Sequence, residues 1–202
     1  MYVTHSGQMD LSLTPPANLN LLVLSSTNLA GQEELVLELA PRADLVVALG
    51  NVDLRRAARL LPANTPALCV MGAQDPEISP PQPFRVLHGN GVLFKEWRIA
   101  GLSGAKRLGT GSNGFYVDEA EAASLLGAMP ACDLLLTNAP PAGLPNSVSD
   151  SDEGFMALTE YLKEKPPIYH FYSNGSERFD YTRESLVIGI AGVSLTPPLR
   201  FV

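Results

Sequence analysis

Apolar residues in this chain come in short, nearly unbroken runs separated by segments of helical spacing. Leu19–Leu24 (LNLLVL), Leu45–Leu49 (LVVAL) and Ala67–Met71 (ALCVM) are too short for helices and have the pattern of strands covered on both faces. Between the first two, Gln32–Ala40 places Leu35, Val36, Leu39 and Ala40 on one helical face, and Pro41 ends the segment. Between the second and third, Asp53 caps a helix whose Leu54, Ala57, Ala58 and Leu61 fall at i, i+3, i+4 and i+7. This βαβαβ alternation predicts a mostly parallel sheet covered by helices.

The remainder is richer in consecutive strands. Pro76–Pro83 (PEISPPQP) reads as an extended proline-rich loop, and Val86–Leu102 as short strands with turn signals at Gly89-Asn90-Gly91. Ser103–Gly114 is a glycine-rich loop. Asp118 caps a helix carrying Ala122, Leu125, Leu126 and Met129 on one face, and Asp133–Thr137 (DLLLT) is another buried strand. A helix over Asp152–Glu164 is stopped by Pro166-Pro167; Ile168–Tyr172, Phe179–Thr182, Leu186–Ile190 and Leu199–Val202 supply four last strands. The inventory predicts an α/β fold: a two-layer mixed β-sandwich flanked by helices. Residues 19–202 form one domain, and residues 1–18, ending near Pro15-Pro16, form an N-terminal arm.

Composition narrows the partners. The chain has 202 residues, 46% of them apolar and 17% charged, enough to bury a sizeable core. A formal net charge of −7 argues against nucleic acid, whose phosphates require clustered Lys and Arg. No apolar run approaches the roughly 18 residues of a membrane span, and the N-terminus lacks the basic start and apolar core of a signal peptide. The expected setting is cytoplasmic, and Cys69 and Cys132, each in an apolar stretch, are expected as buried thiols.

Ligands in open α/β sheets sit beyond the carboxyl ends of the strands, so chemistry is sought there. The strand-end segments are Ser25-Ser26-Thr27-Asn28, Gly50-Asn51-Val52-Asp53, Gly72-Ala73-Gln74-Asp75, Asn138-Ala139-Pro140-Pro141 and Ser173-Asn174-Gly175-Ser176. Their order and spacing resemble the calcineurin-like metallophosphoesterase superfamily, whose five motifs follow five strands: D-x-H, G-D-x-x-D, G-N-H-[DE], a histidine before x-P-P, and G-H-x-H. The stretch from Ile99 through DLLLTNAPPAGLPN is the closest part, and EGFMALTEYLKEKPPIYHFY resembles the family's approach to G-H-x-H. The resemblance covers roughly residues 19–193.

What the resemblance implies is a scaffold without its ligands. Ser26 and Asn28 stand at the D-x-H aspartate and histidine, and Asn51 at the bridging aspartate. Ala73 and Gln74 stand at the asparagine and catalytic histidine of G-N-H-D, where Asp75 alone fits the motif. Asn138 replaces the histidine before x-P-P, and Asn174 and Ser176 replace those of G-H-x-H. The family's mechanism clamps phosphate between two metal ions about 3.5–4 Å apart. Such ions need carboxylate oxygens and neutral imidazoles, and amides or hydroxyls supply no negative charge. Of the three histidines, His5 and His88 join no ligand pattern and His170 reads as a strand residue. Asp53 reads as a helix cap, and Asp75 as support for its own loop through backbone hydrogen bonds.

Gly109–Gly114 satisfies G-x-G-x-x-G, but it lies several residues beyond its strand and after three α/β elements, unlike a dinucleotide fingerprint. With Lys106 and Arg107 beside it, the same loop is a candidate phosphate contact. No nucleophile elbow and no P-loop is present. The expected function is therefore non-catalytic: no cofactor, no metal, no catalytic residue, and a binding or scaffold module for a protein partner. Two alternatives stay open: a phosphoesterase or nucleotide-processing hydrolase with substitute ligands, for example Asp75 with Asp150 or Asp152, and a sensor of a small polar or phosphate ligand in the vestigial cleft.

Overall fold

A computed structural model describes residues 18–25, 29–75, 79–107, 114–143, 154–173, 177–182 and 184–200. Residues 1–17 of the expected arm lie outside them. The first half alternates as expected: β1 (Leu21–Ser25), α1 (Glu33–Leu39), β2 (Leu45–Ala48), α2 (Leu54–Leu60), β3 (Ala67–Cys69), then β4 (Phe84–Val86). These strands pair in parallel in the order β1-β2-β3-β4, and β13 (Gly192–Leu195) adds antiparallel to β1. A second sheet is built from β5 (Asn90–Phe94), β6 (Trp97–Leu102), β9 (Leu134–Thr137), β10 (Tyr169–Ser173), β11 (Arg178–Tyr181) and β12 (Leu186–Ile190), in the order β11-β12-β10-β9-β6-β5. Its four inner strands are parallel, and β11 and β5 run antiparallel at the edges. The helices α3 (Glu119–Ala128) and α4 (Met156–Glu164) cover its outer face.

The layers follow from the alternation of side chains along buried strands. Leu21, Val23, Val47, Val70, Trp97, Ile99, Leu136 and Phe171 meet between the sheets. The intervening residues of the first sheet, such as Leu22, Leu24, Val46 and Cys69, pack with Val36 of α1 and Ala57 of α2. Those of the second sheet, such as Leu135, Tyr172 and Val187, pack with Ala122, Leu126, Leu158 and Leu162. The result is the expected two-layer mixed sandwich flanked by helices.

Local chemistry explains the boundaries, including those that differ from expectation. Asp53 Oδ1 accepts from Arg56 N at 3.0 Å and Asp118 Oδ1 from Glu121 N at 2.8 Å, so both predicted caps form. The chain does not stop at Pro41 but tightens into a 3-10 turn over Ala40–Arg42, where an early proline lacks no needed donor. The β5–β6 hairpin turns at Lys95 and Glu96, with φ of 45° and 69°, and not at Gly89-Asn90-Gly91, where the chain passes from one sheet to the other. Within the described residues α4 starts at Met156, and Asp152 lies outside them. The last strand among the described residues is Gly192–Leu195; of the expected Leu199–Val202, Leu199 follows Pro197 and Pro198 and makes a single bridge to Leu19, and residues 201 and 202 lie outside the described residues. Short strands β7 (Ala105–Lys106) and β8 (Tyr116–Val117) pair beside the glycine-rich segment.

Candidate functional site at the strand ends

The carboxyl ends of both sheets meet in one place. Ser25, at the end of β1, is fully buried and donates from Oγ to Ser173 Oγ, at the end of β10, at 3.0 Å. Asn138, just past β9, is buried and donates from Nδ2 to the carbonyl of Leu49, just past β2, at 2.8 Å. Parallel strands bring these ends to the same side by construction, which is why residues distant in sequence converge here.

Amides and backbone then lace the loops together. Asn51 sits in the left-handed region at φ 55°, a conformation asparagine tolerates better than most residues. Its backbone N–H donates to Asp75 Oδ2 at 2.8 Å, and its side-chain Oδ1 accepts from Gln74 N at 2.8 Å. Asp75 Oδ2 also accepts from Gly72 N at 2.7 Å, closing its own loop. Asp75 is 4% exposed; burial pushes its carboxyl above the usual range, while the amides of Gly72, Asn51 and Val52 pull it back. The cleft between Gly50 and Gly72 is filled by Asn138: a Cβ on Gly50 would stand 2.5 Å from its Nδ2, and one on Gly72 2.6 Å. From outside, Gly114 at φ 111° lies on the Ala73 peptide, where an added Cβ would meet the Ala73 oxygen at 1.7 Å. Beside the site, Val52, Leu54, Arg55, Met71, Pro80 and Pro81 line a cavity of about 330 Å³.

Of the expected positions, Asn51, Ala73, Gln74, Asp75 and Asn138 are thus brought together. Ser26, Asn28, Asn174 and Ser176 lie outside the described residues, although their neighbours Ser25 and Ser173 touch. His88 packs edge-on against Phe115 at 5.2 Å, and His170 is fully buried beneath the site. Lys106 Nζ donates to the Gly154 carbonyl at 2.9 Å and Arg107 Nη2 to the Tyr116 carbonyl at 3.3 Å, so both cations beside the glycine-rich loop have partners. Residues unmarked by any motif also hold the site. Ser103 Oγ accepts from Met71 N at 2.9 Å and donates to the Leu87 carbonyl at 2.7 Å, tying β3 to β6. Its only signal in the sequence is a polar residue directly after an apolar run.

A pair of divalent ions does not fit the donors that the described residues bring here. Among the described residues no group of three or more His, Cys, Asp or Glu could hold a metal ion. Asp75 faces backbone N–H groups, and Asn138 occupies the cleft with its own amide. That filling has a measurable consequence. Gly72→Ala is expected to destabilise the fold by about 1–3 kcal/mol, because it displaces the Asn138 amide from the Leu49 carbonyl. In an Asn138→Ala background the same change is expected to be smaller, giving a coupling of about 1 kcal/mol in a double-mutant cycle read by urea unfolding.

The sequence matches no protein-family model and no curated protein. Solved structures do match. TT1561 of Thermus thermophilus superposes at a TM-score of 0.62 over 86% of this chain and 89% of its own, with 18% identity. GAP50, the anchor in the inner membrane complex of Plasmodium, gives a TM-score of 0.50 over 85% of this chain and 71% of its own, with 11% identity. A conserved protein of Streptococcus pneumoniae, a predicted phosphoesterase, is 14% identical over 86% of this chain and 72% of its own, at a looser TM-score of 0.38. At these identities the likeness is one of fold.

Proposed function

We propose that this chain is a metallophosphoesterase-like protein without the hydrolytic metal site, working as a binding or scaffold module for a protein partner. One observation carries the reading: at two positions where the resembled family holds metal, Asn51 and Asn138 bond to neighbouring loops, and the nearby Asp75 accepts from the backbone N–H groups of Asn51 and Gly72. Side chains committed in this way stabilise the loops, and among the described residues no group of three or more His, Cys, Asp or Glu could hold a divalent ion. The fold neighbour GAP50, an anchor in its own complex, supports the idea that this architecture serves to hold other molecules. The expected result with a generic phosphodiester and Mn²⁺, Mg²⁺ or Zn²⁺ is no turnover above buffer. Metal-dependent turnover that Asn51→Ala or Asn138→Ala abolishes would overturn the proposal.

A second reading, a small-ligand sensor, draws on the cavity beside Asp75. Its volume of about 330 Å³ and largely apolar wall, with Arg55 and Asp75 both among the lining residues, suit a small organic molecule with a polar end that Arg55 can reach. Saturable binding of short-chain carboxylates, lost on Arg55→Ala, would favour it over the scaffold reading.

A further inference from the structure

We propose that β11 is a self-association edge, by which a second copy of this chain continues the six-stranded sheet through antiparallel β11–β11 pairing about Phe179. The proposal is independent of what the strand-end loops do.

The two sheets are stacked strand over strand. Ser25 of β1 meets Ser173 of β10, Leu49 after β2 meets Asn138 after β9, and Val70 after β3 lies against Gly101 of β6. Continuing the match sets β13 over β12 and leaves β11 without a counterpart among the described strands. Phe179 and Tyr181 share the face of their partners Ile188 and Leu186, toward the missing cover. They are accordingly 58% and 77% exposed, although both are large and apolar.

The backbone at the same two residues is also open. Thr182 N donates to Ser185 O at 3.0 Å across the β11–β12 turn. Alternation along an antiparallel pair then directs the backbone groups of Asp180 and Arg178 inward to β12, and those of Tyr181 and Phe179 outward. An exposed strand edge with large apolar side chains on one face is a template for another strand; its two charged residues, Arg178 and Asp180, lie on the other face.

Electrostatics selects a second copy and a register. Arg178 and Asp180 lie two residues apart on the other face. A twofold axis through Asp180 would oppose two buried carboxylates. An axis through Phe179 sets Arg178 opposite Asp180 of the second copy, twice, and places the two Phe179 rings side by side. The strand has four residues, so the interface is small and the dimer weak.

The test is sedimentation over a wide concentration range. The wild type is expected to pass reversibly from one chain to two. Tyr181→Lys and Phe179→Lys, at exposed positions where folding is unaffected, are each expected to weaken the dimer at least about tenfold, whereas Leu93→Lys on the opposite edge leaves it unchanged. Mild oxidation is expected to cross-link Phe179→Cys with itself but not Tyr181→Cys, because only the residue on the axis meets its own copy; the native cysteines are buried. A chain monomeric throughout, a dimer indifferent to both β11 lysines, or self-cross-linking at residue 181 in place of 179 would each overturn the proposal. A partner peptide that protects β11 while the chain stays monomeric would do the same.

Discussion

Asp75→Ala is expected to lower the stability of the fold by about 2–4 kcal/mol, because it leaves the buried N–H of Gly72 and the part-buried N–H of Asn51 without their acceptor. In a domain of this size each kcal/mol corresponds to roughly 2–4 °C in Tm, so the effect is large in a thermal scan. Asp75→Asn retains an oxygen that can accept both bonds and is expected to be milder, at about 1–2 kcal/mol. The order matters more than either value. A carboxylate kept for solvent or for an ion would change stability by no more than about 0.5 kcal/mol on removal. Equal, small effects of both substitutions in urea unfolding would mean that Asp75 does not brace the loops.

The second large effect is in pH. His170 lies in the middle of β10, fully buried, with Nε2 at 2.9 Å from Thr137 Oγ1. The Thr137 hydroxyl donates to the Ala139 carbonyl at 2.6 Å, so it accepts from His170, whose Nε2 carries the proton. Nδ1 is then a buried nitrogen with no hydrogen-bond partner, and a second proton there would bring charge into an apolar layer. Burial pushes the imidazole down to about 3. Between that value and the ordinary value near 6.5 the unfolded chain binds a proton that the native state refuses. Stability is therefore expected to fall on acidification through this window, by roughly 1.4 kcal/mol per pH unit from this group alone. Above pH 7 the group contributes no slope. Asp75 acts oppositely: its raised carboxyl favours the native state at the acid end, and that contribution is lost as pH rises from the ordinary carboxylate value through the folded one. His170→Asn is expected to flatten the acid limb in urea titrations at stepped pH, and an unchanged limb would contradict the assignment.

Much of the fold could be read from sequence because buried parallel strands leave continuous apolar runs. LNLLVL, LVVAL and DLLLT carry no polar face to confuse them with surface elements, and Asp53 and Asp118 announce their helices. Elements set by tertiary pairing were harder. Gly192–Leu195 is half-exposed and gains its partner from β1, some 170 residues earlier, so nothing local marks it as a strand. Lys95-Glu96 turns a hairpin with left-handed φ values that usually belong to Asn or Gly, because the flanking strands fix the chain reversal. At the site, motif spacing pointed to Asn51, Gln74, Asp75 and Asn138 as neighbours, yet it could not show whether their side chains face a ligand or one another. That depends on angles a sequence does not carry, as with the Asn138 amide lying between Gly50 and Gly72. Ser103 and Gly114 stood out only as the ends of a glycine-rich segment, because their roles are bonds and close contacts with main chain that comes from other elements.

The claim that the strand-end loops bind one another in place of a metal pair is tested most directly by calorimetric titration of the purified chain with Mn²⁺, with elemental analysis of the same sample. The account predicts no stoichiometric metal and no saturable heat up to millimolar Mn²⁺. One or two ions per chain, bound tightly and lost on Asn51→Ala or Asn138→Ala, would contradict it.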